Sequence, residues 1–368
     1  MKKIGIITTH RANNFGAVFQ AFSLVSACRE LGADAELIDW RCHHFEWGYH
    51  KAWRMYRNPI PAIKHLLWFM TTERPIRAAF NAFRKLMTLS QKITARNKLR
   101  KHAKKYDAVI VGSDQVWNPI NSAINPLKFD RSNLLDFVPN GVKKFAYAAS
   151  MGTREINPPS LVPEFTAAWK TFDLITMREH AGAQYVGLQI GKEVEAVVDP
   201  VLLHDVEFWR KYEIPSGHSR GKFIFVYNIK NSPTLRNAAE RRAKELGLEI
   251  VDVIIPSLIP TESYERIGIG PAQFLGCVDE AESVFTNSFH GSALSLIFGK
   301  KLFVHQINSK ANHNSRFESL FKYANLDGEV VSQNDAQSIM MFDCSKADSS
   351  GLNQERERSL SFIKEMVV

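Results

Sequence analysis

Phe285-Thr286-Asn287-Ser288-Phe289-His290-Gly291-Ser292-Ala293-Leu294-Ser295 is the stretch on which the reading of this chain turns. Residues 283–286 read as the end of a buried strand, and from Ser288 to Phe298 small and apolar residues recur at helical spacing. A strand that passes directly into a helix leaves the first helical amides unpaired, and the positive end of the dipole faces outward. Such a junction suits a phosphate or carboxylate. His290 then stands inside an anion pocket as a proton donor, with Asn287, Ser288 and Gly291 against the anion. The plain alternative is a His that is merely hydrogen-bonded near a helix start.

Outward from this junction, strand-like and helix-like runs alternate in both directions, which predicts parallel sheets of the α/β class. The first half reads as strands over 3–9, 35–39, 107–112, 144–150, 174–177 and 194–198, with helices over 15–31 and 161–172. A turn-rich stretch, Pro215-Ser216-Gly217-His218-Ser219-Arg220-Gly221, separates it from strands over 223–227, 249–255 and 301–305. Helices over 234–246, from Pro271, and over 353–368 complete the second half. The expected architecture is two Rossmann-like domains facing a cleft: 1–214, carrying a basic helical insert at 50–105, then 222–350, then a closing helix over 351–368. Ligands of such sheets lie beyond the carboxyl ends of the strands.

At 368 residues the chain exceeds the usual size of a single core, and its 45% hydrophobic content is that of a globular protein. Met1-Lys2-Lys3 leads straight into the first strand without a secretory leader, and no apolar run reaches membrane-spanning length. Cys28, Cys42, Cys277 and Cys344 form no CxxC pair, so neither a disulfide framework nor a metal site is expected. These features predict a cytoplasmic protein.

The net charge of +9 is concentrated in one place. Residues 50–105 carry 15 Lys or Arg against the single acid Glu73, leaving 32 basic and 37 acidic residues elsewhere. On a helical wheel Ile76, Ala79, Phe80, Phe83 and Met87 fall on one side and Arg74, Arg77, Arg84 and Lys85 on the other, with Trp53, Trp68 and Phe69 upstream. A basic amphipathic helix with aromatics suits an anionic membrane surface. The competing readings are ordinary helices covering the first sheet, or nucleic-acid binding, which no recognised motif accompanies.

Other strand ends carry further candidates. Asn14 caps a helix in His10-Arg11-Ala12-Asn13-Asn14-Phe15-Gly16-Ala17, and Gly16 admits a ligand close to the backbone. The loop lacks the GxGxxG spacing of a dinucleotide site. In Gly112-Ser113-Asp114-Gln115-Val116-Trp117-Asn118-Pro119, polar side chains crowd behind a buried strand. Trp117 is suited to stacking on a sugar face, and Asp114 to accepting a hydroxyl proton, while an Asx-type turn is the structural alternative. Ser113 and Ser150 line the same cleft. Arg178, read as starting a helix, is electrostatically misplaced there and calls for an anion. Arg316 is a second candidate cation or a surface residue, and His305 and His313 lack metal-ligand spacing.

As an ordered set these pieces resemble the polysaccharide pyruvyl transferase family. The matching elements are 14–17, Gly112–Trp117, Tyr147–Gly152, Arg178-Glu179, Asp199-Pro200, Gly270–Leu275 and Ser288–Gly291. They span most of the chain, from residue 5 to about 325. Gly299-Lys300-Lys301 departs from the family's usual Gly-Lys-Pro, and the basic insert is less typical.

The resemblance implies a glycosyltransferase-B-like fold, phosphoenolpyruvate as donor and co-substrate, and no cofactor or metal. It implies as acceptor a hydroxyl pair on a sugar of a cell-surface polysaccharide or its lipid-linked oligosaccharide precursor. His290 and Asp114 become the catalytic pair, with Arg178 and Arg316 on the donor. Work on a lipid-linked acceptor fits peripheral attachment to the inner face of the cytoplasmic membrane through 50–105. Two other functions fit the same pattern: a nucleotide-sugar-dependent glycosyltransferase, and a non-catalytic subunit of a polysaccharide assembly complex.

Overall fold

The computed structural model describes residues 1–41, 67–119, 130–254, 267–307, 315–333 and 337–368. Cys42, Trp53, His313 and the 50–66 part of the basic insert lie outside the described residues.

The first sheet is built from β1 (Lys3–Ile7), β2 (Asp34–Leu37), β3 (Ala108–Val111), β4 (Lys143–Ala149), β5 (Leu174–Met177) and β6 (Glu195–Ala196). Its order is β2-β1-β3-β4-β5-β6, and every pairing is parallel. The second sheet contains β7 (Phe223–Tyr227), β8 (Glu249–Asp252), β9 (Ser283–Thr286), β10 (Lys301–Ile307), β11 (Glu329–Gln333) and β12 (Gln337–Asp343), in the order β11-β12-β10-β9-β7-β8. Strands β8, β7, β9 and β10 are parallel, whereas β12 returns antiparallel to β10 and β11 antiparallel to β12. The strands β3 and β7 are buried at every residue, as parallel strands covered on both faces must be. The sequence reading did not anticipate β11 and β12.

Helix α1 (Phe15–Glu30) explains how the two halves hold together. Thirteen of its sixteen residues are buried, because it is covered from both sides. Phe15 stacks on Phe274 at 4.4 Å and lies 5.0 Å from Phe80, while Phe19 meets Trp209 edge-on at 5.5 Å. Residues of both sheets therefore share one continuous core. Helix α2 (Arg74–Arg84) buries Ile76, Phe80 and Phe83 in it. A Cβ added at Gly270 would fall 2.5 Å from that of Ala79, so this glycine is what lets α2 lie against the second half. The apolar stripe that made α2 resemble a membrane helix is thus internal. Arg84, assigned by the wheel to the solvent side, is also buried.

The remaining helices are α3 (Arg96–Ala103), α4 (Val162–Trp169), α5 (His180–Ile190), α6 (Val206–Arg210), α7 (Pro233–Leu246), α8 (Pro271–Glu280), α9 (Phe289–Ile297), α10 (Ser315–Tyr323) and α11 (Ser349–Val367). Helix α11 crosses back to the first half: Ser359 Oγ accepts from Val198 N at 3.1 Å, and Arg356 Nε donates to Leu202 O at 2.8 Å. Among the described residues no helix is long and apolar enough to cross a membrane, and no group of three or more His, Cys, Asp or Glu side chains is arranged to hold a metal ion.

Candidate active site between the two sheets

The loops at the carboxyl ends of β3, β5 and β6 meet the β9–α9 junction at the buried carboxylate of Asp199. Its Oδ2 accepts from Ser113 Oγ at 3.0 Å and Arg178 Nη1 at 3.0 Å, and lies 3.5 Å from His290 Nε2; Oδ1 accepts from Val201 N at 3.0 Å. Burial alone would raise this carboxyl, but the His290 imidazole, the Arg178 guanidinium and the Val201 amide together hold it well below the usual carboxylate range. An imidazole from one half and a guanidinium from the other thus share one anion.

Arg178 is not an exposed cation at a helix start. Glu179 occupies the N-cap position and α5 begins at His180, so Arg178 lies before the helix and points inward, its side chain 2% exposed. Its Nε donates to Glu179 Oε1 at 3.0 Å, and Ser150 Oγ holds the same oxygen at 2.8 Å. Burial would lower the guanidinium, and the carboxylates of Glu179, Asp199 and Asp114 outweigh it, raising the group. The guanidinium carbon is 5.2 Å from the centroid of the Phe289 ring. Nη2 is buried and without a hydrogen-bond partner among the described residues.

His290 occupies the first turn of α9, whose cap is Ser288: the serine hydroxyl accepts from Gly291 N at 3.3 Å. The imidazole is wedged against the start of α1, and a Cβ added at Gly16 would overlap it at Nδ1. Asn14 caps α1 by accepting from Ala17 N at 3.1 Å. Capping at each helix satisfies one amide, leaving those of Phe15 and Gly16, and of Phe289 and His290, without an acceptor among the described residues. Two positive helix ends therefore converge on the imidazole.

Asp114 stands at the edge of this site. Its φ of +75° is one that few residues other than Gly adopt, and the strain is held by Ser150 N, which donates to Asp114 O at 3.1 Å, and by Thr9 Oγ1, which donates to Oδ2 at 2.9 Å. A bulge in β4 between Ala146 and Ala149, with Ala148 at a φ of +49°, delivers Ser150 to that position. Across the seam Tyr227 ends β7 with its ring edge-on to Phe15 at 5.6 Å. Burial raises its phenol; Ser288 opposes the rise and the Asp114 carboxylate adds to it.

The loop that carries Gly16 is held by the insert. Arg84 of α2 donates to His10 O at 2.9 Å, Arg11 O at 3.0 Å, Ala12 O at 2.7 Å and Asn13 Oδ1 at 2.9 Å. One guanidinium thereby ties down three successive loop carbonyls.

The structure brings Arg178, His290, Gly16, Asp114, Ser113 and Ser150 together, although both serine hydroxyls are engaged with carboxylates and the space beside Gly16, expected to admit a ligand, is filled by the His290 imidazole. Sequence reading failed for Trp117, which is fully buried between Trp169 and Phe172 and donates Nε1–H to Asn133 O at 2.9 Å. An indole in the core offers no platform to a sugar. Asn287 is likewise engaged: Oδ1 accepts from Ile229 N at 2.9 Å and Nδ2 donates to Asn228 Oδ1 at 2.8 Å. Gly291 makes room for Thr286 and Tyr227, and its amide is capped. Arg316 falls in α10, and its side chain lies outside the described residues.

Asp199, Glu179, Tyr227 and Arg84 gained no role from sequence. A buried Asp directly after an apolar strand was the available signal for the first. A cavity of about 530 Å³ lies elsewhere, between α7 and strands β9 to β12 of the second sheet, where Lys301, Lys346 and Arg242 already face Glu282, Asp343 and Glu245.

The family model for polysaccharide pyruvyl transferase matches residues 14–304. No curated protein matches the chain. Solved structures similar to it include the UDP-GlcNAc 2-epimerase from Neisseria meningitidis bound to UDP-GlcNAc (TM-score 0.47, 11% identity, covering 88% of this chain and 91% of that one). Others are the UDP-GlcNAc 2-epimerase from Methanocaldococcus jannaschii (0.45, 12%, 87% and 92%) and the glycosyltransferase SnogD from Streptomyces nogalater (0.40, 11%, 100% and 95%).

Proposed function

The chain belongs to the polysaccharide pyruvyl transferase family, and from that premise we propose that it transfers the pyruvyl group of phosphoenolpyruvate to two hydroxyls of a glycan sugar, forming a cyclic ketal. The observation that carries this reading is the shared Asp199 carboxylate, which draws Arg178 and His290 together between two opposed helix starts. Phosphoenolpyruvate brings a carboxylate and a phosphate. Arg178 Nη2 and the unpaired amides of Phe15, Gly16, Phe289 and His290 are the groups offered to them.

A proton passes from His290 to the methylene carbon of the donor, giving an oxocarbenium-like centre that one sugar hydroxyl attacks as Asp114 takes its proton. The second hydroxyl then displaces phosphate, which leaves with the other proton, and the methylene has become a methyl group. Asp199 fixes the imidazole from one side and the Gly16 backbone from the other, so its position relative to the donor is set before binding. Positioned proton transfer of this kind contributes typically ~10²–10⁴ in rate.

The test is incubation of the purified chain with phosphoenolpyruvate and a panel of synthetic and lipid-linked glycans. Phosphate release should require both substrates, and mass spectrometry should show a pyruvate adduct on the glycan. Release of a nucleoside diphosphate from a nucleotide sugar, with no adduct, would replace this reading by glycosyl transfer.

A further inference from the structure

We propose that the outward face of α3 is a docking surface for an anionic lipid bilayer. The sequence pointed at the whole of 50–105, but the apolar stripe of α2 is in the core, so that helix has no face to insert. Beside the exposed Leu67, Met70 and Leu86, what remains is charge. Residues 91–106 carry seven Lys or Arg and no acid. In α3 the side chains of Leu99, His102 and Ala103 are buried and seat the helix on the first half; Lys98, Arg100 and Lys101, with Lys104 just beyond, are exposed on the opposite arc.

None of these four cations has an acidic partner among the described residues, whereas their neighbours Arg96 and Lys105 pair with Asp136 and Glu36. Other helices pair part of their charge within the helix. On α7 Arg236 pairs with Glu240 and Arg242 faces Glu245, and on α11 Arg358 pairs with Glu355. Four unpaired cations within two turns match the negative potential of an anionic leaflet, and each contributes about fivefold in partitioning near such a surface. The arc presents no aromatic ring for base stacking, which favours a lipid surface over single-stranded nucleic acid. Attraction without insertion is salt-sensitive, because exposed charges are screened within about 10 Å at 0.1 M salt.

The full chain is co-sedimented with vesicles of phosphatidylcholine alone and of phosphatidylcholine with phosphatidylglycerol, at low and high salt. We expect pelleting with the anionic vesicles only, its loss at high salt, and at least a tenfold weaker partition for K98E/R100E/K101E/K104E. The control K211E/K222E should bind as the parent does. A matched thermal melt guards against misfolding, and the corresponding glutamine variant repeats the test if the reversal variant fails to fold. Equal pelleting with neutral vesicles, or anionic binding that survives both variants, overturns the proposal. Retention by an oligonucleotide at a salt where anionic vesicles leave the chain in the supernatant also overturns it. No turnover is measured, so the result is independent of the pyruvyl-transfer reading.

Discussion

Two strand-end loops in this protein look equally rich in polar side chains, yet the fold engages them to different degrees. In the loop Gly112–Pro119 Asp114 reaches the edge of the site, but Ser113 holds Asp199, Trp117 is bonded to Asn133 within the core, and Asn118 donates to Gln115 at 2.7 Å. At Ser288–His290 the cap and the asparagine are equally engaged, but the amides of Phe289 and His290 keep bonding capacity to spare among the described residues. Leftover hydrogen-bonding capacity, and not the density of polar residues, separates a site from its scaffold. Buried polar groups are almost always paired, so the exceptions are informative.

Four experiments put that contrast at risk. The largest effect belongs to His290→Ala, which should lower turnover by ~10²–10⁴, far more than the modest fall in urea midpoint expected where Arg178 and the Val201 amide still hold the Asp199 carboxylate. Full activity in this variant would reverse the assignment of the two loops. Asp199→Asn removes the carboxylate that both halves share. Breaking a buried charge pair costs about 3–5 kcal/mol, so denaturant unfolding should show a loss of that order together with slower turnover. A stable Asp199→Asn variant with normal kinetics would mean that the carboxylate does not organise the site.

His204 is a histidine with its ring engaged: it stacks on Phe208 at 3.7 Å and its Nε2 bonds Ser23 O at 3.1 Å. Burial lowers it to about 4, only partly offset by the Ser23 carbonyl. The unfolded chain therefore takes up the proton first. Stability from this group is complete above pH ~6.5 and declines as pH falls toward 4, by on the order of 3 kcal/mol. Unfolding midpoints measured across that window should show the decline, and His204→Gln should flatten it without altering turnover at pH 7. The smallest effect is that of Trp117→Phe, which loses one buried hydrogen bond and some packing, about 1–3 kcal/mol. Its acceptor KM should stay at the parent value; a raised KM with unchanged stability would restore the indole as a sugar platform.

Much of this was legible beforehand for a physical reason. Strands buried on both faces leave continuous apolar runs, so β5 and β7 could be bounded to the residue and β9 at its end, and Gly247 ends α7 at a φ of +64° as expected of a helix stop. The antiparallel pair β11–β12 was not legible. Its residues alternate poorly, and Val330 and Val331 of β11 are about half exposed, so no periodicity marks them.

Local periodicity and the order of short motifs were enough for the α/β class, for the placement of functional loops at strand carboxyl ends, and for the family. Which polar groups are consumed and which are left over depended on the packing of the whole chain. Trp117 and Arg84 turn inward, Asp199 becomes the common partner of Arg178 and His290, and Gly16 meets an imidazole 274 positions later in the chain. Pairing between groups so far apart is set by how two sheets close over one helix, and no local pattern encodes it.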